Sequence, residues 1–130
     1  MFTKTTHSIK ITAVPQFLDQ HSEPDEEHFV WAYTIQLENM GEETVQLVKR
    51  HWKITDAHGL TQEVRGEGVI GEQPVLRPGE AFRYTSGTAL GTASGIMLGE
   101  YEMITPDGRQ FEVEVPAFSL DSPYQMTRPN

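Results

Sequence analysis

The chain has 130 residues, 37% of them hydrophobic and 22% charged, which fits one soluble globular domain with a real core. Its net charge is −9, from 19 acidic and 10 basic residues, which disfavours non-specific binding to nucleic acid or to an anionic membrane. It contains no cysteine, which excludes disulfides, thiolate metal sites and cysteine nucleophiles, and no run approaches the roughly 18 apolar residues that span a bilayer.

Met1 to Lys10 lacks the apolar centre of a signal peptide, so a cytoplasmic protein without membrane insertion is expected. Ile9, Ile11 and Ala13 alternate with polar residues, Pro15 interrupts and Phe17 resumes, predicting a first strand near a sheet edge. His21 to Glu27 carries Pro24 and reads as a loop. Phe29, Trp31, Tyr33, Ile35 and Leu37 then alternate without a break, the clearest half-buried strand in the chain.

Val45 and Leu47 lie on one phase of the next strand, Trp52 and Ile54 on the other. A period of two cannot change phase without an extra residue, so a β-bulge is expected at Lys49-Arg50, between Val48 and His51. Asp56 to Gly59 turns the chain, and Thr61 to Arg65 forms a short polar strand. Pro78-Gly79 sets another turn before the strand of Phe82 and Tyr84, which ends at Ser86-Gly87. Ala89 to Gly95 reads as a loop. Met97, Gly99, Tyr101 and Met103 alternate, with Gly99 the position lacking a side chain. Pro106-Asp107-Gly108 is a hairpin signal, Phe111, Val113 and Val115 return, and Pro116 shifts the phase before Phe118 and Leu120.

No stretch of about 10 residues carries the apolar spacing of a helix. Roughly seven short strands with turn signals every 8–12 residues predict an all-β, antiparallel two-sheet sandwich. Phe29 or Trp31, Trp52, Tyr84 and Tyr101 are its expected core aromatics. One domain spans residues 1–130, with an ordered core over residues 7–120 and a loose tail from Asp121 to Asn130.

The candidate site is Arg65 to Pro74, where Gly66, Gly68 and Gly71 spell G-x-G-x-x-G. A dinucleotide site would need a helix after these glycines to hold the pyrophosphate, and Pro74 and Pro78 follow instead. A bare nest of amides could still hold phosphate. Glu67 and Glu72 oppose this by charge, and only Arg65 and Arg77 lie near in sequence. The candidate ligand- or partner-binding residues are therefore Arg65, Gly66, Gly68, Val69, Ile70, Gly71 and Arg77. The loop is expected at one end of the sandwich. Exposed Val69 and Ile70 would suit a protein partner, buried ones a structural loop, and a phosphate nest would require inward amides with Arg65 or Arg77 close by.

Other chemistry has less support. The five histidines show no zinc-type spacing. His21, Glu23, Asp25, Glu26, Glu27 and His28 form an acidic cluster that reads either as a solvated loop or as a loose Mg²⁺ or Co²⁺ site. Lys49-Arg50-His51 is a basic patch, read as a charged edge that blocks strand addition or as a functional surface at the bulge. Ser86, Ser94 and His51 exist without a nucleophile signature, so no catalytic residue, metal site or cofactor is assigned.

Taken in order, several segments resemble the bacterial ApaG family. They are Arg50-His51-Trp52-Lys53-Ile54-Thr55-Asp56, Gly66 to Pro74, Pro78-Gly79, Tyr84-Thr85-Ser86-Gly87 and Gly95-Ile96-Met97-Leu98-Gly99-Glu100-Tyr101. The resemblance runs from about Ile9 to Leu120. It implies an immunoglobulin-like or fibronectin type III-like sandwich and an association with cobalt resistance and magnesium efflux. Similar domains occur in eukaryotic F-box proteins and in a polymerase-delta-interacting protein, where they look like interaction modules. No catalytic residue comes with the family. The resulting expectation is a non-catalytic soluble binding module, not an enzyme, with a protein partner and an indirect link to Co²⁺/Mg²⁺ efflux and divalent-cation homeostasis. The alternative is a pyrophosphate- or nucleotide-binding protein using Gly66 to Gly71. Weak divalent-cation binding is a lesser reading, and no nucleic acid is expected as partner.

Overall fold

Five large apolar side chains at every second position oblige one face of their strand to leave water. In the computed structural model, which describes residues 1–124, Phe29, Trp31, Tyr33, Ile35 and Leu37 are all buried. Nine strands are present among the described residues. They are β1 (Phe2–Thr6), β2 (Ile9–Phe17), β3 (Phe29–Asn39), β4 (Val45–Asp56), β5 (Thr61–Glu67), β6 (Val75–Leu76), β7 (Ala81–Leu90), β8 (Gly95–Ile104) and β9 (Gln110–Leu120). Two single 3₁₀ turns, Asp19–His21 and Pro24–Glu26, occupy the loop before β3.

The strands form two antiparallel sheets, ordered β1-β2-β3-β7 and β5-β4-β8-β9, with the short β6 also paired to β4. The fold is an all-β sandwich of the immunoglobulin-like, fibronectin type III-like class, as expected. Its aromatic centre is continuous across the sheets. Tyr33 of one sheet meets Trp52 of the other at 5.4 Å between ring centroids, and Trp52 sets its edge against Tyr101 and Phe118, each at 6.1 Å. The Tyr84 and Tyr101 hydroxyls, both buried, hydrogen-bond to each other at 2.5 Å. That bond satisfies two polar groups that would otherwise be costly in the core.

The first strand departs from expectation. β1 precedes Ile9, so β2 lies inside its sheet, between β1 and β3. Pro15 is tolerated because β1 pairs with β2 only as far as Ala13. At the other end, Asp121, Ser122 and Tyr124, expected as part of a loose tail, contact the body of the sandwich. Trp31 Nε1 donates to the Asp121 carbonyl (2.8 Å), the Ser122 hydroxyl donates to the Ala93 carbonyl (2.6 Å), and the Tyr124 ring lies 6.0 Å from both Phe17 and Phe29. The rest of the expected tail, residues 125–130, lies outside the described residues.

The phase flip in β4 is real, but the bulge sits earlier than Lys49-Arg50. Against β8, Leu47 pairs with Met103 and Lys49 with Glu102, so Val48 is the extra residue. Arg50 consequently shares the inward phase of Trp52 and Ile54. β4 is an interior strand, between β5 and β8, which removes the charged-edge reading of Lys49-Arg50-His51. A second irregularity falls where Pro116 predicts it: Met97 pairs with Phe118, but Gly99 pairs with Val115.

The two long sides of the sandwich differ. β9 packs on β1 and β2 and closes one side. On the opposite side, β5 and β7 are the outer strands of their sheets and make no comparable contact. The sandwich is open there.

Candidate functional site

The glycine segment lies along this open side, not at an end of the sandwich. It leaves β5 at the β4 bulge, where the Gly68 amide donates to the Val48 carbonyl (2.8 Å). Val69 and Glu72 then exchange both backbone hydrogen bonds, at 2.8 and 2.9 Å. Ile70 and Gly71 form the two-residue turn between them, with φ of 45° and 80°. Both values are left-handed, as in a type I′ turn, which ordinarily takes Asn-Gly. Isoleucine is β-branched, and holding it there costs about 1–2 kcal/mol. The two apolar residues divide between the expected outcomes: Val69 is 1% exposed and belongs to the core, whereas Ile70 is 54% exposed.

The phosphate-nest geometry is not formed. The amides of Gly68, Val69 and Glu72 are engaged by backbone carbonyls. Arg65 points outward and pairs with Glu63 at 3.8 Å. Arg77 stands in the turn between β6 and β7, its amide bonded to the Glu80 carboxylate at 2.8 Å. Neither arginine serves the loop. Arg50 does, and Gly66 makes room for it: a Cβ at Gly66 would fall 2.7–2.8 Å from the guanidinium.

Arg50 Nη1 donates to the carbonyls of Glu67 (3.1 Å) and Gly68 (2.9 Å). No carboxylate lies within salt-bridge distance of Arg50 among the described residues, and Nε and Nη2 have no protein acceptor there. Around it stand Tyr33, Trp52, Tyr84, Ser86 and the Ile70 turn, lining a cavity of about 210 Å³. Burial raises the Tyr33 and Tyr84 hydroxyls above the ordinary tyrosine range, opposed for Tyr33 by its Ser86 bond and for Tyr84 by its Tyr101 bond, and for both by the Arg50 charge. They therefore remain neutral groups at physiological pH.

This cavity adjoins a second of about 340 Å³, lined by Gln62 and Val64 of β5 and by Ser86, Gly87, Thr88 and Ala89 of β7. A third, of about 260 Å³, continues to Leu60 and Leu90. Together they make a groove along the open side. Its apolar rim is Ile70, Val64 (38% exposed) and Leu60 (71% exposed). Sequence reasoning missed most of this groove. The signal for Arg50 was present, since positions 50, 52 and 54 share one phase.

The outer face of the β5-β4-β8-β9 sheet carries a different pattern. Cross-strand rows read Glu67, Lys49, Glu102, Glu112 and Arg65, His51, Glu100, Glu114. His51 bridges strands, with Nδ1 2.7 Å from Glu100 and Nε2 3.0 Å from Glu63. Both nitrogens are occupied, so His51 is not free to act on a hydroxyl. The His51 hydrogen bond, aided by the charges of Arg65, His51 and Lys53, holds the Glu63 carboxyl below its ordinary value of 4.5. A carboxyl depressed in the folded state stabilises it above the unfolded value, and that contribution disappears as pH falls through the folded one. Glu63→Gln is thus expected to be less stable than wild type at neutral pH, with the gap in urea midpoint closing as pH drops below 4.5. A gap that stays constant down to about pH 3 would show that Glu63 does not titrate in contact with His51.

The acidic cluster before β3 spreads over the two 3₁₀ turns, with Glu23 and His28 joined by a backbone bridge. Among the described residues, no three His, Asp or Glu side chains are placed to share a metal ion.

Fold and groove together define an immunoglobulin-like β-sandwich with a lateral cleft. The chain belongs to the ApaG domain family, whose family model matches residues 19–105. Protein ApaG of Rhodospirillum centenum is 61% identical over 130 residues, covering 100% of both chains. Protein ApaG of Paramagnetospirillum magneticum is 57% identical over the same length, also covering 100% of both. A crystal structure of an ApaA protein from Bordetella pertussis is 40% identical, superposes with a TM-score of 0.87, and covers 92% of this chain and 97% of its own.

Proposed function

We propose that the protein is a non-catalytic binding module of the ApaG type that presents the β5–β7 groove and the Ile70 turn to a protein partner. One observation carries this reading: a β-branched residue is kept exposed at φ 45° on the lip of a cavity. Asparagine or glycine would form the same turn with less strain, so an isoleucine there points to a contact made by its side chain. In this reading the link to Co²⁺ and Mg²⁺ efflux is indirect and runs through that partner.

The second reading, a pyrophosphate or nucleotide binder using Gly66 to Gly71, draws support from the Arg50 guanidinium. The engaged amides of Gly68 and Val69 weigh against it.

Ile70→Asn separates a contact residue from a structural one. The substitution is expected to stabilise the fold by about 1 kcal/mol, because asparagine tolerates the left-handed region. It should also abolish capture of the partner from cell lysate by the immobilised protein. If the stabilised variant retains the same bound proteins as wild type, the binding-module reading of this turn fails.

A further inference from the structure

The groove has two unlike walls. β7 lines it with four consecutive residues, Ser86, Gly87, Thr88 and Ala89, whereas β5 contributes the alternate residues Gln62 and Val64. Consecutive residues face one space only when a strand is seen along its edge; alternate residues do so when it is seen from its face. The groove therefore exposes the hydrogen-bonding edge of β7 and the side-chain face of β5.

β7 is the outer strand of its sheet, so alternate N–H and C=O groups along its length lack a ladder partner. Such an edge is a template for strand addition, and proteins commonly blunt it with proline, lysine or a covering loop. From Ser86 to Leu90 the strand has none of these side chains. The Ile70 turn borders the neighbouring stretch, sharing a cavity with Tyr84 and Ser86 but not with Gly87, Thr88 or Ala89.

The charge in the groove selects the occupant further. Arg50 offers Nε and Nη2 without a protein counterion, beside the Tyr33 and Ser86 hydroxyls. Among the described residues it is the only cationic side chain lining the two cavities nearest the Ile70 turn. A lone guanidinium in a chain of net charge −9, with Glu67 and Glu72 on the adjoining loop, suits a single carboxylate better than a polyanion. Val64 and Leu60 continue the groove as apolar contacts. An extended ligand places every second side chain on one face about 6.6–7 Å apart, which matches a wall built from alternate strand residues.

We infer that the β5–β7 groove takes an extended, acidic-apolar peptide segment of a partner, which adds alongside β7 and sets one carboxylate side chain on Arg50. Backbone pairing to β7 supplies affinity, while Arg50 and the Val64–Leu60 wall supply selectivity. This rests on the partner-binding reading and names the chemistry of the partner.

The test uses the ¹⁵N-labelled protein and three probes: the acetylated, amidated pentapeptide Val-Thr-Glu-Thr-Val, which sets Glu and both valines on one face, its twin with Gln in place of Glu, and inorganic pyrophosphate. The Glu peptide is expected to give saturable shifts of the Arg50 Nε–H and of the β7 amides between Thr85 and Leu90. The Gln twin should bind at least about tenfold more weakly, the loss of one charge-assisted contact. Arg50→Met should erase the difference between the peptides. The comparison of peptides on wild-type protein stands even if that variant does not fold.

Equal binding of the two peptides, or no shift of Arg50 Nε–H at millimolar Glu peptide, overturns the inference. Pyrophosphate binding more tightly than the Glu peptide overturns it in favour of a small polyanion. Failure here is distinct from failure of the broader reading. If Ile70→Asn releases the captured partner while the two peptides behave alike, the binding module stands and its acidic-peptide chemistry falls. If the Glu peptide binds as expected while Ile70→Asn leaves capture unchanged, the groove stands and the role of the turn falls.

Discussion

Gly68→Val should destabilise the protein by about 3 kcal/mol, combining left-handed strain on a β-branched residue with overpacking. Gly68 has φ 65°, and a Cβ there would penetrate the carbonyl oxygen of Glu72 and lie 3.0 Å from the carbonyl carbon. Neither atom can yield cheaply, because Glu72 is tied back to Val69 by two backbone hydrogen bonds. Gly71→Val isolates the strain term. Gly71 has φ 80° but nothing within 4 Å of its Cβ position, so its loss should be about 1–2 kcal/mol. Urea unfolding of both variants measures the difference. Equal losses would mean that the Glu72 carbonyl moves freely, and that the loop does not lock Val69 into the core.

That comparison also explains why the candidate site was only half legible in the sequence. G-x-G-x-x-G correctly marks backbone that side chains would obstruct. The motif does not say whether a ligand or the protein itself occupies the space. Here the protein does: the Glu72 carbonyl fills the space at Gly68 and the Arg50 guanidinium that at Gly66. Val69 and Ile70 look equivalent in sequence, yet an αL residue at position 70 sends one inward and leaves the other exposed.

Alternation made the strands legible wherever one face was buried and the other wet. Phe29 to Leu37 and Met97 to Met103 are of this kind, and their buried positions agree with the structure. β1 offers no such pattern, because Phe2 is its one large apolar residue and its neighbours are threonine and lysine. It is held by register with β2 and by packing on β9, contacts that only the assembled fold provides. The bulge shows the same limit at finer scale. Phase requires an extra residue somewhere between Leu47 and Trp52, but only the pairing with β8 assigns it to Val48. That assignment turns Arg50 from a surface charge into the centre of the groove.

Gly99→Ala is expected to cost about 3 kcal/mol, although alanine usually gains about 0.5–1 kcal/mol over glycine inside a strand. Gly99 pairs with Trp52 across β8 and β4, and the indole lies over the space where a side chain would stand. A Cβ there would fall 2.7 Å from Cε3 of Trp52 and would also penetrate the His51 carbonyl oxygen. The ring cannot slide aside cheaply, since it is wedged against Tyr33, Tyr101 and Phe118. Trp52 also walls the groove on both sides of Arg50. A displaced indole should therefore weaken the near-ultraviolet dichroism of the aromatic cluster and reduce peptide binding together. Gly87→Ala is the control: its Cβ would meet only the Trp31 carbonyl oxygen, at 3.5 Å, an ordinary contact, so it should show the usual strand gain of about 0.5–1 kcal/mol. If Gly99→Ala unfolds at the same urea concentration as Gly87→Ala, the indole is free to move, and the wall of the groove is not set by the pairing of β4 with β8.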